Sequence, residues 1–172
     1  MVAPLHEVAG LIARHRPSHL ISLASPGHVD ALLAEAPPHR LDLRFNDIAE
    51  PREGLTPPSE ADVGALLAFA EGWRGARPLL VHCWAGVSRS TAAAYVIACA
   101  RSAPGQEQAW ADRLRQAAPT ATPNPLIVAL ADRLLHRRGA MSRAVAAIGR
   151  GAETAWGAPF ELILSPEEEP RR

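Results

Sequence analysis

The feature that most constrains the fold is residues 78–91, where a short apolar run leads through a tight loop into a helix. Residues 79–81 are Leu-Leu-Val, as expected of a strand that is buried on both faces. Residues 90–100 are apolar on nearly every side of a helix, which predicts a buried helix. The alternation of strands and helices along the chain predicts a mostly parallel sheet with helices on both faces.

The loop between this strand and this helix has the residues of an anion-binding site. Successive backbone N–H groups can face an anion there, and the helix adds its own N–H groups and the positive end of its dipole. Gly86 permits a positive φ and a close approach of the backbone to a ligand. The planar guanidinium group of Arg89 can hold two phosphate oxygens at once.

Cys83 opens the loop at the point where this positive potential is focused. Its thiol is therefore expected to ionise below its usual pKa of about 8.5, and the thiolate can attack phosphorus in line to form a phosphocysteine. We expect His82 to fix the loop by hydrogen bonding, and the hydroxyl of Ser90 to stabilise the sulfur as the leaving group of the second step. The alternative is a small core cysteine beside a surface arginine.

The pattern His-Cys-x5-Arg-Ser resembles the signature of the cysteine-dependent protein tyrosine phosphatases, and it is matched here by His82, Cys83, Gly86, Arg89 and Ser90. The short chain is similar to the compact, dual-specificity-like branch and to small bacterial tyrosine phosphatase-like proteins. The resemblance is strong over residues 40–135 and weak outside them. It implies a three-layer α/β fold, with a single phosphatase domain over residues 1–165 and a charged, mobile tail over residues 166–172.

The same resemblance implies a phosphate monoester hydrolase that acts as a protein tyrosine or dual-specificity phosphatase, without a cofactor or a metal. The variable positions of the loop carry no basic residue, which favours a singly phosphorylated aryl substrate. Hydrolysis of inositol or sugar phosphates is one alternative, and a catalytically weak domain that only binds phosphorylated ligands is the other. Trp84 is expected to pack beneath the loop as core, or else to shape the pocket wall. The residues expected to contact the substrate are Trp84, Ala85, Gly86, Val87, Ser88 and Arg89.

Phosphatases of this kind also need a general acid, which family members carry as an aspartate on a loop that precedes the cysteine. Apolar residues alternate over residues 41–45 as in a strand, so Asp47 lies at its carboxyl end. That end faces the ligand crevice in open α/β sheets, which makes Asp47 the candidate acid. The alternative for Asp47 is a turn beside Asn46, and Glu50 and Glu53 are the fallback acids.

Other candidate residues have structural interpretations. Asn124, in a Pro-Asn turn that resembles one in compact tyrosine phosphatases, is expected to cap the next helix and to support the loop. Cys99 is expected to lie in the core, too far along the helix from the nucleophile for a disulfide. Arg44, Arg52 and His28 are expected on the surface; the alternative for the two arginines is contact with an acidic peptide, and that for His28 is a catalytic base.

The rest of the sequence predicts helices and strands that support the site. A helix is expected to begin at Ser25 and to bury apolar residues up to Leu33, and Ser59 with Asp62 forms a capping box for the following helix. Residues 160–164 are expected to form an added strand or an irregular arm. The other predicted elements are a strand at 19–24 and helices at 4–15, 106–116, 126–138 and 141–149.

Composition narrows the class of protein further. The chain has 172 residues, enough for one sizeable core, and its formal net charge is zero, which argues against nucleic-acid and anionic-membrane partners. All eighteen basic residues are arginine, as in GC-rich bacterial genomes. The first residues lack the basic segment and apolar run of a signal peptide, and a free nucleophilic thiol suits a reducing compartment. A cytoplasmic protein is expected, and the oligomeric state stays open.

Overall fold

The structure is a computed structural model, and it describes residues 1–28 and 37–164. Its centre is one sheet of four parallel strands in the order β1-β4-β2-β3. The strands are β1 (Val2–Pro4), β2 (His19–Ala24), β3 (His39–Arg44) and β4 (Leu79–Cys83). The helices of the described residues are α1 (Val8–His15), α2 (Glu60–Gly72), α3 (Arg89–Ala100), α4 (Glu107–Ala117), α5 (Pro125–Leu134) and α6 (Ala140–Ile148).

The layers arise because successive residues of a strand point to opposite faces of the sheet. Leu20 of β2 and Leu80 of β4 pack with the apolar face of α1. Their neighbours Ile21 and Val81 point the other way, into the larger core that α2 to α6 cover. The predicted three-layer α/β fold with a parallel central sheet is therefore confirmed.

Helix α3 is the centre of the larger core. Its residues are buried from Arg89 through Cys99, and it packs against α2, α4, α5 and β4. Many of its side chains are alanine, which lets the neighbouring helices approach closely. Because α3 is held on every side, its N-terminus, where the loop after β4 ends, has a fixed position relative to the sheet.

The first strand is a feature that the sequence did not predict. Only three residues form β1, too few to show a period of two, and they are extended because they pair with β4. The helix predicted over residues 4–15 is present as a 3-10 turn (Leu5–Glu7) followed by α1. The turn places Leu5 directly beside the loop that follows β4.

The helix predicted to begin at Ser25 does not begin there. The carbonyl oxygen of Ser25 accepts a hydrogen bond from the N–H of His28 at 3.2 Å, and Gly27 has a φ of 78°. Proline followed by glycine with positive φ forms a tight turn, and this preference prevails over the helix-start pattern. The rest of that predicted helix, through Leu33, lies outside the described residues, as does the predicted tail over residues 166–172.

The helix predicted over residues 126–138 also ends early, at Leu134. His136 and Arg138 have positive φ values of 55° and 54°, which a continuing helix does not allow. The carboxylate of Asp132 accepts hydrogen bonds from backbone N–H groups at the start of α6, and these bonds stabilise the turn. The predicted helices over residues 106–116 and 141–149 are confirmed as α4 and α6.

Two other predictions have clear outcomes. The capping box at the start of α2 is confirmed, because Ser59 Oγ accepts from the N–H of Asp62 and the Asp62 carboxylate accepts from the N–H of Ser59. Of the two predictions for residues 160–164, the irregular arm is the one observed, with a single antiparallel bridge between Phe160 and Val2. Within residues 1–28 and 37–164, no helix is both long and apolar enough to cross a membrane.

Candidate active site

The loop between β4 and α3, residues 83–89 and hereafter the phosphate loop, has its carbonyl groups tied to the surrounding scaffold. The carbonyl oxygens of Trp84, Ala85, Val87 and Ser88 accept hydrogen bonds from the N–H groups of Leu5 (3.0 Å), Gly157 (2.8 Å), Thr122 (2.9 Å) and Ala92 (2.9 Å). In a trans peptide the C=O and the following N–H point in opposite directions. The N–H groups of Ala85, Gly86, Ser88 and Arg89 are therefore directed to the inside of the loop, as an anion requires.

Gly86 is the conformational pivot of the loop. Its φ is 71°, and a Cβ atom there would lie 2.7 Å from the backbone nitrogen of Pro4. Both the left-handed backbone and the close approach of β1 therefore require glycine at this position.

Cys83 ends β4 at the floor of the loop, where it is buried at 3% exposure. Its Sγ accepts a hydrogen bond from the N–H of Gly86 at 3.3 Å and lies 3.1 Å from Oγ of Ser90, in the first turn of α3. The sulfur also lies near the N-terminus of α3, where the helix dipole is positive. The structure therefore brings Cys83, Gly86 and Ser90 together, with the hydroxyl at the sulfur as the sequence predicts.

Arg89 is held on the other side of the cavity by the ends of two strands. Its Nη1 donates to the carbonyl oxygen of Phe45 at 2.9 Å, just after β3, and to Oγ of Ser25 at 3.3 Å, just after β2. Its side chain is buried, and among residues 1–28 and 37–164 no acceptor bonds to its buried Nε. A buried guanidinium N–H without a protein acceptor is one that a bound oxyanion can satisfy.

His82 takes part in a buried hydrogen bond within the sheet. Its Nε2 lies 2.7 Å from Oγ of Ser22 in a buried hydrogen bond. This bond joins β4 to β2 rather than to the phosphate loop itself. His82 is also one of the residues that line the cavity in front of Cys83.

Asp47 lies beside the phosphate loop, exposed to solvent. Its Oδ1 accepts a hydrogen bond from Oγ of Ser88 at 2.7 Å and another from Nδ2 of Asn124 at 2.8 Å. Oδ1 of Asn124 in turn accepts from the N–H groups of Leu126 and Ile127, so Asn124 caps α5. One asparagine therefore joins the candidate acid, the phosphate loop and the start of a buried helix.

The cavity in front of Cys83 has a volume of about 260 Å³. Arg89 is the only arginine, aspartate or glutamate among the described residues that line it, and Asp47 is not one of the lining residues. The walls are mainly apolar, so the cavity combines an anion-binding floor with sides that suit an uncharged group. The lining residues are Leu5, Leu23, Ala24, Ser25, His28, His82, Cys83, Trp84 and Arg89.

Trp84 is not part of the core, contrary to the preferred expectation. It is 52% exposed and forms part of the cavity wall, where its ring meets His28 edge-on at 5.3 Å. The reason is that the loop carbonyl of Trp84 is tied to Leu5, and its ring packs beside Trp156 at 5.7 Å rather than beneath the loop. His28 is likewise a lining residue rather than plain surface.

The remaining candidates lie away from the cavity lining. Glu50, Arg52 and Glu53 are exposed on the connection between β3 and α2. Arg44 is half-buried and pairs with Asp42 at 3.6 Å. Cys99 is buried in the core, and both cysteines are free thiols.

Several residues of the site were missed at the level of sequence. Ser25 could have been found, because it follows β2 at the same edge of the sheet where Asp47 follows β3. Trp156 and Gly157 could not, because no local pattern connects the end of the chain with the phosphate loop.

Comparison with known proteins identifies the fold. No protein-family model matches the sequence, and a search of curated proteins finds no match. Among solved structures, DUSP15 matches with a TM-score of 0.56 and 16% identity over 86% of this chain and 88% of that one. The Yvh1 phosphatase domain from Chaetomium thermophilum matches with a TM-score of 0.56 and 20% identity over 81% of this chain and 92% of that one. Human DUSP28 matches with a TM-score of 0.54 and 21% identity over 78% of this chain and 86% of that one. The chain therefore has the α/β fold of the compact dual-specificity phosphatases.

Proposed function

We propose that the protein is a cysteine-dependent phosphatase that hydrolyses phosphate monoesters through a phosphocysteine intermediate. The observation that carries this proposal is the setting of Cys83: its sulfur accepts the N–H of Gly86 and touches the hydroxyl of Ser90 on the floor of a loop whose N–H groups face inward. Such a loop binds the phosphoryl oxygens, and Arg89 on the far wall adds a planar cation.

The proposed reaction has two displacements at phosphorus. In the first, the sulfur of Cys83 forms an S–P bond while the P–O bond to the leaving group breaks, and Asp47 gives its proton to the leaving oxygen. In the second, water attacks phosphorus and its proton passes to Asp47, while the S–P bond breaks. Ser90 donates a hydrogen bond to the departing thiolate, and inorganic phosphate is released. The inward N–H groups and Arg89 stabilise the charge on the equatorial oxygens in both steps.

The cavity supports a singly phosphorylated aryl substrate, as in phosphotyrosine. Its sides include Leu5, Leu23 and Trp84, which can pack against a ring but offer nothing to a second phosphate. Arg89 is the only arginine among the described lining residues, whereas an inositol polyphosphate needs several cations. The likeness to dual-specificity phosphatases supports a phosphorylated protein as the source of that ring. A free nucleophilic thiol also supports a place in the reducing cytoplasm.

The test is the turnover of p-nitrophenyl phosphate by the purified protein and by two variants. Cys83→Ser is expected to abolish turnover, because the serine hydroxyl is not ionised and cannot replace the thiolate as nucleophile. The fold and phosphate binding are expected to persist. Arg89→Lys is expected to lose most activity, since a point charge cannot replace the guanidinium fork. Substantial activity in Cys83→Ser would overturn the covalent mechanism.

A second measurement separates the substrate classes. The wild-type protein is assayed on phosphotyrosine, phosphoserine and phosphothreonine peptides and on inositol phosphates. We expect the phosphotyrosine peptides to give the highest kcat/KM. A preference for inositol phosphates would assign the protein to non-protein phosphoesters, and binding without turnover would make it a phospho-ligand-binding domain.

A further inference from the structure

The segment that follows α6, residues 149–164 and hereafter the C-terminal arm, is fixed at both ends. Near its start, the N–H of Gly151 donates to Oγ1 of Thr122 at 3.1 Å and the N–H of Ala152 donates to the carbonyl oxygen of Pro119 at 3.0 Å. Near its end, Phe160 exchanges two backbone hydrogen bonds with Val2 of β1. Between these anchors the C-terminal arm crosses the outer side of the phosphate loop.

Gly157 is the point of contact with the loop. Its N–H donates to the carbonyl oxygen of Ala85 at 2.8 Å, which turns the next N–H, that of Gly86, toward the sulfur of Cys83. A Cβ atom at position 157 would lie 2.8 Å from the carbonyl oxygen of Gly86. Since the atoms that such a Cβ would meet belong to the backbone of the loop, any side chain at position 157 must displace the loop or the arm.

Trp156 is the other contact. Its ring lies 5.7 Å from that of Trp84 and meets His6 edge-on at 5.0 Å. Its backbone is fixed, because Thr154 Oγ1 donates to its carbonyl oxygen at 2.7 Å and lies 3.3 Å from its N–H. Trp156 is 44% exposed, so it packs beside Trp84 at the surface and not in the core. Two large aromatic residues, Trp84 of the cavity wall and Trp156 of the arm, therefore lie side by side.

We propose that the C-terminal arm is part of the substrate site: Gly157 positions the phosphate loop, and Trp156 holds Trp84 as an aromatic wall that binds the ring of an aryl phosphate. This inference rests on the proposed function for its choice of ligand. It makes Trp156 a positioning residue that sets specificity through Trp84, without touching the phosphate.

The test separates binding of the ring from binding of the phosphate, in a Cys83→Ser background where no turnover occurs. Titration calorimetry gives the Kd of phenyl phosphate and of inorganic phosphate. Trp156→Ala is expected to raise the Kd of phenyl phosphate roughly two- to tenfold, the range for loss of one aromatic contact, and to leave that of inorganic phosphate unchanged. Trp156→Phe is expected to restore most of the loss. Leu134→Ala, which truncates an apolar residue of similar exposure on α5, is the matched control.

Gly157→Ala tests the anchoring of the loop. The added methyl group is expected to weaken the binding of both ligands, because it disturbs the N–H groups that hold the phosphate. Gly64→Ala is the control, since a Cβ atom at that position on α2 meets nothing within 4 Å. Unchanged binding of both ligands in a folded Gly157→Ala protein overturns the anchoring role.

Two outcomes of the Trp156→Ala titration overturn the aromatic wall: no change for phenyl phosphate, or equal changes for both ligands. The proposed function fails separately, if wild-type protein turns over no phosphate ester. The preference for phenyl phosphate over inorganic phosphate can persist in that case, so the two failures are distinguishable.

Discussion

At the scale of single residues, the proposed general acid Asp47 is hydrogen-bonded to the phosphate loop. Among residues 1–28 and 37–164, Ser88 and Asn124 both donate to Oδ1 of Asp47 and no bond goes to Oδ2, the oxygen we assign to proton transfer. Since Ser88 belongs to the phosphate loop, any movement of the loop moves the carboxylate as well. Asn124 ties the same oxygen to the cap of α5, which restrains that movement.

If Asp47 protonates the leaving oxygen, Asp47→Asn is expected to slow hydrolysis of phenyl phosphate by about 10²–10⁴-fold. The loss is expected to be much smaller for a dinitrophenyl ester, whose leaving group needs no proton. The basic limb of the pH–rate profile should flatten, because that limb reports loss of the acid's proton. The measurement is kcat/KM for both esters from acid to alkaline pH.

The matched control for this variant is Asp42→Asn, which alters an exposed aspartate of β3 that pairs with Arg40 and Arg44. It is expected to leave both rates unchanged. Equal, small losses for the two esters in Asp47→Asn would transfer the acid role to Glu50, Glu53 or another group.

The two cysteines are expected to differ sharply in reactivity. Burial raises the pKa of the Cys99 thiol to about 12, so this thiol stays protonated near neutral pH and is inert. Cys83 lines an open cavity, where a reagent can reach it. Iodoacetamide should therefore modify only Cys83 in the folded protein, and mild peroxide should abolish the proposed phosphatase activity. Mass spectrometry locates the label; rapid modification of Cys99 in the folded protein would contradict this assignment.

At the scale of elements, β2 and β3 begin with a stacked pair of imidazole rings, of which His19 is buried and His39 is exposed. His19 and His39 stack at 4.5 Å, and Phe69 of α2 meets His19 at 5.3 Å. Burial lowers the pKa of His19, and the neighbouring His39 lowers it further. The folded protein therefore binds a proton at His19 less readily than the unfolded chain does.

The sign of the pH effect follows from this difference. Above the ordinary histidine pKa of 6.5, His19 is neutral in both the folded and the unfolded protein, and its burial causes no loss of stability through protonation. As the pH falls below that value, the unfolded chain takes up the proton first and stability is lost. His19→Gln is expected to flatten the fall in the free energy of unfolding at mildly acidic pH.

Urea denaturation across that pH range measures the effect. His15→Gln, at the end of α1, is the matched control and should keep the wild-type slope. An unchanged slope in His19→Gln would assign the pH dependence to other groups.

At the scale of the whole molecule, a feature could be predicted from the sequence when the residues that form it are close together along the chain. The phosphate loop, β4 and α3 were predicted because contiguous residues form them. The strand β1 was not, because its three residues are extended only through pairing with β4. The exposure of Trp84 depends on Trp156, and the fit of Gly157 depends on the backbone of Gly86; both contacts join distant parts of the chain.

These distant contacts also predict how the fold responds to a ligand. The phosphate loop is held by the turn after β1, the connection before α5, the C-terminal arm and, through Arg89, the ends of β2 and β3. The complete loop exists only when all of these segments are folded, so an anion bound there stabilises the whole molecule by mass action. At a concentration about 100-fold above its Kd, the gain is about 2.7 kcal/mol.

For a chain of 172 residues, that gain corresponds to a rise in Tm of roughly 5–10 °C. The measurement is thermal unfolding in orthovanadate or inorganic phosphate, compared with chloride at equal ionic strength. Arg89→Lys is expected to lose most of the rise, because it replaces the fork that holds two oxygens with a point charge. Gly64→Ala, on a helix away from the loop, should keep it. A rise that chloride reproduces, or that Arg89→Lys retains in full, would show that the anion acts elsewhere on the protein.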